Sequence, residues 1–208
     1  MPDVNPKTGT RRERAAATRR RMIAAAIEVF TEAGYAGARM PEIAARAGVA
    51  VQTLYLGFHT KAELLQACYE FAVLGPERVP PPDQPFWSEI AAATSGRQAL
   101  AAFVGGNTAI AERVSAIEEV ARAALREPDA VAVVTHNERL RREGYREVVL
   151  SLSKRFGLRA ELDAERATDI LLLLAGPGPF LTLQRCGWDV AAYQSWLTDA
   201  LASQLLGC

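Results

Sequence analysis

Along most of this chain the apolar residues recur at three- and four-residue steps, and no run of alternating apolar and polar residues backed by hairpin turns interrupts them. A helix needs the first spacing to bury one face; a strand needs the second. The pattern predicts an all-α chain. Half of its 208 residues are apolar, enough for a sizeable core. The longest greasy run, Ile170 to Ala175, is far too short to cross a bilayer, and the N-terminus is polar and arginine-rich rather than an apolar leader. A cytoplasmic protein without a membrane anchor is expected.

The spacing of Ile23, Ala26, Ile27 and Phe30 predicts a first helix from Thr18 to Ala33, stopped by Gly34, with Tyr35 to Ala38 as a loop. Pro41 and Glu42 suit the first turn of a second, short helix that buries Ile43, Ala44 and Ala47 and breaks at Gly48. A third runs from Ala50 to Phe58 with Leu54 and Phe58 on one side. Thr60 to Glu63, T-K-A-E, reads as a capping box that starts a fourth helix, which buries Leu64, Leu65, Cys68 and Phe71. Five prolines between Pro76 and Pro85 end it in a stiff loop. Five further helices are expected near 97–111, 114–126, 129–156, 163–186 and 189–206, the fourth of them kinked or broken by Gly176-Pro177-Gly178-Pro179. This divides the chain into a flexible basic arm (1–17), a three-helix head (18–60) and a helical body (61–208).

Net charge is zero, but its halves differ. Residues 1–61 carry ten Lys/Arg and five Asp/Glu; the remainder carries fourteen and nineteen. A basic head on an acidic body suits a head that alone meets a polyanion. Cys68, Cys186 and Cys208 show no zinc or redox spacing, so reduced thiols are expected, the first two packed in the core. His59 and His136 fall in no metal motif, and neither a nucleophile elbow nor a phosphate loop is present, because Gly176-Pro177-Gly178 lacks the following Lys-Ser/Thr. No catalytic residue, cofactor or metal is expected, and an enzyme is the disfavoured class.

Two short helices around Gly48 fit a helix-turn-helix: small Ala44 and Ala47 admit close packing, and the second helix offers its polar side to base edges in a major groove. The wider segment from Arg21 to Leu65, including R-M-P-E-I-A-A-R-A-G-V-A-V-Q-T-L-Y-L-G-F-H-T-K-A-E-L-L, strongly resembles the TetR family of one-component repressors. The C-terminal strings A-T-D-I-L-L-L-L-A (Ala167–Ala175) and G-W-D-V-A-A-Y-Q-S-W-L (Gly187–Leu197) resemble one subgroup of that family. The resemblance implies backbone phosphate contacts at Tyr55 and Lys61, base and phosphate contacts at Val51, Gln52 and Thr53, and Arg39 beside the phosphates at the start of the bracing helix. Gln52 can pair bidentately with adenine, and the arm Arg11–Arg21 can follow the backbone or enter a minor groove. For Tyr55 the alternative is a ring packed within the head, and for Lys61 a solvated surface charge. Arg39 replaces the usual capping Ser or Thr, and Leu56, Gly57 and His59 also depart from the pattern. The recognition helix is unusually apolar, suited to thymine methyls or to phosphates.

The resemblance further implies a homodimer on a palindromic double-stranded operator, released by an unidentified small-molecule effector. The last two helices supply a broad apolar face, with Leu174, Phe180, Tyr193, Trp196, Leu197 and Leu201 as its contacts; for several of these the alternative is the core of one chain. The effector pocket is expected between residues 97 and 156, with Phe103, Asn107, His136, Asn137, Arg141 and Tyr145 as its polar and aromatic groups and Trp87 as further wall. A nucleoid-type DNA-binding protein without effector is the alternative, which a solid body would favour. The sequence does not separate repressor from activator.

Overall fold

The computed structural model describes residues 10–75 and 77–207, apart from the Pro81 side chain. Ten α-helices follow one another: α1 (Arg11–Gly37), α2 (Met40–Ala47), α3 (Val51–Gly57), α4 (Lys61–Leu74), α5 (Pro85–Ala92), α6 (Gly96–Ala123), α7 (Pro128–Phe156), α8 (Ala164–Ala175), α9 (Pro177–Arg185) and α10 (Val190–Leu205). A single 3-10 turn, Pro81–Asp83, precedes α5. No strand occurs among the described residues, so the fold is all-α. No helix among the described residues is long and apolar enough to cross a membrane.

The first helix begins seven residues before the expected start. Glu13 N–H donates to Thr10 Oγ1 and Thr10 N–H to the Glu13 carboxylate (3.3 and 2.7 Å), a reciprocal cap that fixes the N-terminus at Arg11. Residues 11–17, read as part of a flexible arm, are thus the opening turns of α1, with Thr10 as their cap; residues 1–9 of the arm lie outside the described residues. Gly34, at φ 69°, leaves helical geometry, and the chain turns once more before α2. Gly48 takes the left-handed conformation (φ 65°, ψ 40°). There Val49 N–H reaches Ala44 O and Gly48 N–H reaches Ala45 O, the paired bonds that close a helix end.

The body departs from expectation in two places. The expected break between 111 and 114 is absent, and α6 runs through it for 28 residues. No Gly or Pro lies between Asn107 and Ala124 to stop it. In addition, α5 forms between the expected loop (76–85) and the helix expected from 97, in a stretch for which no helix was expected, because Pro85 at a first helical position lacks no needed hydrogen bond. Gly176 does separate α8 from α9.

Helix α6 lies at the centre and touches α1, α4, α5, α7, α8, α9 and α10. Two buried clusters form around it. One joins α1–α4 to Val114–Ala124 of α6 and its sequel and to Ala130–Val134 of α7; the other fills the space among α5, α6, α7, α8, α9 and α10. The head therefore shares its core with part of the body. Arg113 of α6 strengthens this junction by donating to Ala72 O and Val73 O (2.9 and 3.3 Å) at the end of α4. Cys68 is buried, as expected of a packed thiol, but Cys186 is exposed just past α9; Cys208 lies outside the described residues.

Candidate functional site

In the head, Ile43 and Ala44 of α2 and Leu54 of α3 are fully buried, with Phe58 just past α3 almost so. This fixes the rotation of α3 and turns Gln52, Thr53, Tyr55 and Leu56 to solvent. Tyr55 is 46% exposed, which excludes a ring packed in the head. Val51 is half-buried against the head core. Arg39 is exposed at the N-cap of α2 and makes no capping bond there, as expected of a side chain that cannot replace Ser or Thr.

Lys61 is not free. Its Nζ donates to Tyr35 O (2.7 Å) and Ala38 O (3.4 Å) and stands 4.4 Å from the centre of the Tyr35 ring. It ties the start of α4 to the turn that follows Gly34. Burial, aided by the charges of Asp129 and Glu127, pushes the Tyr35 phenol up to about 12. Arg19 does similar work at the other end of the helix pair. Its guanidinium donates to Gly57 O (3.2 Å) and lies 4.3 Å over the Phe58 ring, so a residue read only as part of the basic arm caps α3. Arg46 is paired with Glu32 at 2.7 Å and flanked by Glu28 and Glu42. The capping box of α4 is half-formed. Thr60 Oγ1 accepts from Glu63 N–H, but the Glu63 carboxylate turns to the backbone and ring of His59. Those bonds hold its pKa below the usual carboxylate range.

In the body, a cavity of about 580 Å³ opens between α4, α5, α6 and α7. All six pocket residues expected from the sequence, Phe103, Asn107, His136, Asn137, Arg141 and Tyr145, line it, as does Trp87. Lining residues missed by the sequence reading include Gln66, Glu70, Val73 and Leu74 of α4 and Phe86 of α5. The α4 set follows helical spacing and was visible as a stripe; α5 itself was not anticipated, so Phe86 was not.

Most inner polar groups of the cavity are satisfied within the protein, the buried Trp87 Nε1 being left without a partner. Tyr145 Oη lies 2.7 Å from Asn107 Oδ1 and 2.9 Å from Ala175 O, and Asn107 Nδ2 donates to the same carbonyl (2.8 Å). Burial pushes the Tyr145 phenol upward, so it remains a donor. Asn137 Nδ2 donates to Gln66 Oε1 (2.9 Å), a bond from α7 to α4. Arg141 pairs with Glu118 (2.9 Å), a 2% exposed carboxylate that also takes Arg122 (2.6 Å) and the Tyr69 hydroxyl (3.2 Å). A buried acid needs such partners, and these link α4, α6 and α7. What stays open to a guest is mainly the apolar wall of Val73, Leu74, Phe86, Phe103, Ile110 and Val148.

The expected dimer contacts divide. Phe180, Tyr193, Leu197 and Leu201 are at most 1% exposed and belong to the body core of one chain, where Phe180 and Tyr193 meet edge to face at 5.1 Å. As the chain stands, they offer a partner no surface. Leu174 and Trp196 are half-buried. Among the described residues from α8 to the C-terminus, the exposed large apolar groups are Leu173, 71% exposed, and Trp188, set at 5.9 Å against Trp196. An unbroken Leu171–Leu174 run gives no polar contrast from which to choose the outward residue.

The model of bacterial regulatory proteins of the tetR family matches residues 22–68. Over 68 residues the chain is 43% identical to the HTH-type transcriptional regulator CymR of Pseudomonas putida; the stretch is 33% of this chain, and the chain spans only 34% of that relative. Among solved structures, NalD, the secondary repressor of the MexAB-OprM multidrug efflux pump in Pseudomonas aeruginosa, is similar at TM-score 0.70 and 18% identity over 92% of this chain and 98% of its own. The transcriptional regulator FadR from Bacillus subtilis, in complex with stearoyl-CoA, is similar at TM-score 0.67 and 19% identity over 88% and 97%. Residues 22–68 thus match the model of the tetR family of bacterial regulatory proteins, and the helical fold of the whole chain is similar to that of these solved structures.

Proposed function

We propose that this chain is a cytoplasmic DNA-binding transcriptional regulator: a homodimeric repressor that leaves a palindromic operator when a small, mainly apolar molecule enters the body cavity. One observation carries the reading. Helix α4 packs Leu64, Leu65 and Cys68 into the core of the head and turns Gln66, Glu70, Val73 and Leu74 to the cavity. A guest that pushes on α4 or competes for the Gln66–Asn137 bond acts on the helix that orients the head. It favours a head spacing that no longer fits successive major grooves. A coupling of about 1–3 kcal/mol lowers operator affinity roughly 5–150-fold.

The cavity favours this reading over an effector-free nucleoid protein, for which a solid body is expected. The similarity to a repressor of an efflux pump and to a regulator holding stearoyl-CoA is consistent with it. The dimer contact is drawn from the outer sides of α8 and α10, with Leu173, Trp188 and Trp196 at its centre, a closed two-fold pairing that sets two recognition helices on one face.

The test joins both sites. DNA flanking the gene is screened by gel shift for a bound palindrome, and compounds are screened by the rise in melting temperature they cause. The expected result is that compounds which stabilise the protein release the duplex, and that Gln66→Ala alters the release more than it alters ligand affinity. Operator affinity unmoved by every stabilising compound would refute the effector mechanism while leaving DNA binding intact.

A further inference from the structure

Among the described residues, the most exposed large apolar side chain is Leu56, at 82%. It is on the outward side of α3, four residues after Gln52 and three after Thr53, so the three share one stretch of helix surface. Its neighbours on either side in sequence hold the helix firmly: Leu54 is fully buried, Phe58 is 2% exposed, and Arg19 clamps Gly57 O. The residue is therefore displayed on a rigid support, and the side chain contributes nothing to either buried cluster.

An isolated surface leucine needs no explanation by itself. Its place does: α3 carries no acid, its other outward groups are hydrogen-bonding Gln52, Thr53 and Tyr55, and the Arg19 guanidinium borders its C-terminal end. That is a surface suited to a polyanion with polar edges. On the floor of the major groove, the large apolar feature among the bases is the C5-methyl of thymine. A leucine set against any other edge would desolvate a donor or acceptor without replacing its bond.

We infer that Leu56 is a specificity-determining residue that seats on the C5-methyl of one thymine in each half-site. The inference rests on the DNA-binding reading above and adds to it which chemical group is read. One methyl removed from water is worth about a fourfold change in affinity per half-site, about fifteenfold for a symmetric pair.

The experiment begins with duplexes enriched from a random library on the full-length dimer. Each thymine of the enriched half-site is then replaced in turn by deoxyuridine, which lacks only the methyl, and affinity is read by fluorescence anisotropy. The natural protein is expected to lose about fourfold per half-site at one position. Leu56→Ala, whose melting temperature should match the parent because the side chain is exposed, is expected to bind the thymine duplex that much more weakly and to ignore the deoxyuridine change. Indifference of the natural protein to every deoxyuridine, or discrimination that persists in Leu56→Ala, overturns the role of Leu56 while the protein still binds DNA. Failure to enrich any duplex overturns the DNA-binding reading and this inference with it.

Discussion

Lys61 holds its ammonium against the carbonyls of Tyr35, Ala36 and Ala38 and an aromatic ring, and that arrangement separates two roles a surface lysine can have. A lysine waiting for phosphate costs the fold little when it is removed. One that bonds the end of a helix costs about 1–2 kcal/mol, the usual worth of charged hydrogen bonds partly open to water. Lys61→Met keeps the stem and removes the charge, so we expect a urea midpoint lowered by that amount. Tyr55→Phe should leave the midpoint unchanged and weaken duplex binding about fivefold, since its exposed hydroxyl makes no bond within the head. If Lys61→Met left stability untouched and weakened DNA binding alone, the phosphate role implied by the family resemblance would be right and the inward one wrong. The sequence identified the exposed Gln52, Thr53 and Tyr55 well, because Leu54 and Phe58 set the inward side of α3. It could not reveal that Lys61 or Arg19 closes helix ends, since a basic side chain long enough to reach a phosphate is also long enough to reach a carbonyl 23 to 38 residues away in the chain.

Helix α5 was the element hardest to foresee, and it is the one that roofs the cavity. It packs on α6 at Gly106, where a built Cβ would stand 2.7 Å from Phe86 Cβ, a backbone-proximal atom that cannot swing away. Gly105 next to it meets nothing within 4 Å. The pair makes an internal control. Gly106→Ala should push α5 outward, cost about 1–3 kcal/mol as an overpacked contact does, and change the emission of Trp87, which stacks on Phe86 at 5.5 Å. Gly105→Ala, in the middle of the same helix, should be neutral or raise stability by up to about 1 kcal/mol through helix propensity. Equal effects would mean that α5 does not approach α6 at that point. The legibility of the elements follows the same physics. Helix α7 was placed within a residue because polar and apolar positions alternate along it with a clear period and a proline opens it. Helix α5 was missed because prolines crowd its entrance and the same residues that start a helix also stiffen a loop. The break assumed inside α6 had no residue to cause it.

Across the molecule the ionisable groups that burial perturbs most are phenols and a thiol, and they are spread over both cores. Tyr35 stands in the head, Cys68 and Tyr69 on α4, Tyr145 and Tyr193 in the body, all buried. Burial raises the pKa of each; the charge of Glu118 adds to it at Tyr69, and Tyr193 is pushed up to about 12. In an unfolded chain a thiol ionises near 8.5 and a phenol near 10. Below about pH 8.5 both states keep these protons, and the folded state has its full stability. Above that the unfolded chain binds fewer protons than the folded one, so stability falls as pH rises through 9, 10 and 11, and goes on falling until the folded groups titrate in turn. The urea midpoint should therefore be flat from pH 7 to 8.5 and then decline steadily. The first cluster runs from α1 through α4 into α6 and α7, so the head has no core of its own to lose separately. The alkaline transition should accordingly coincide when followed by hydrogen exchange of α1 amides and by tryptophan emission, which reports only the body because Trp87, Trp188 and Trp196 all lie there. A midpoint unchanged between pH 8 and 10.5 would mean that these phenols ionise freely in the folded protein. A head that melted first would mean that the shared core does not couple it to the body, and an effector bound against α4 would then have no rigid path by which to move the recognition helix.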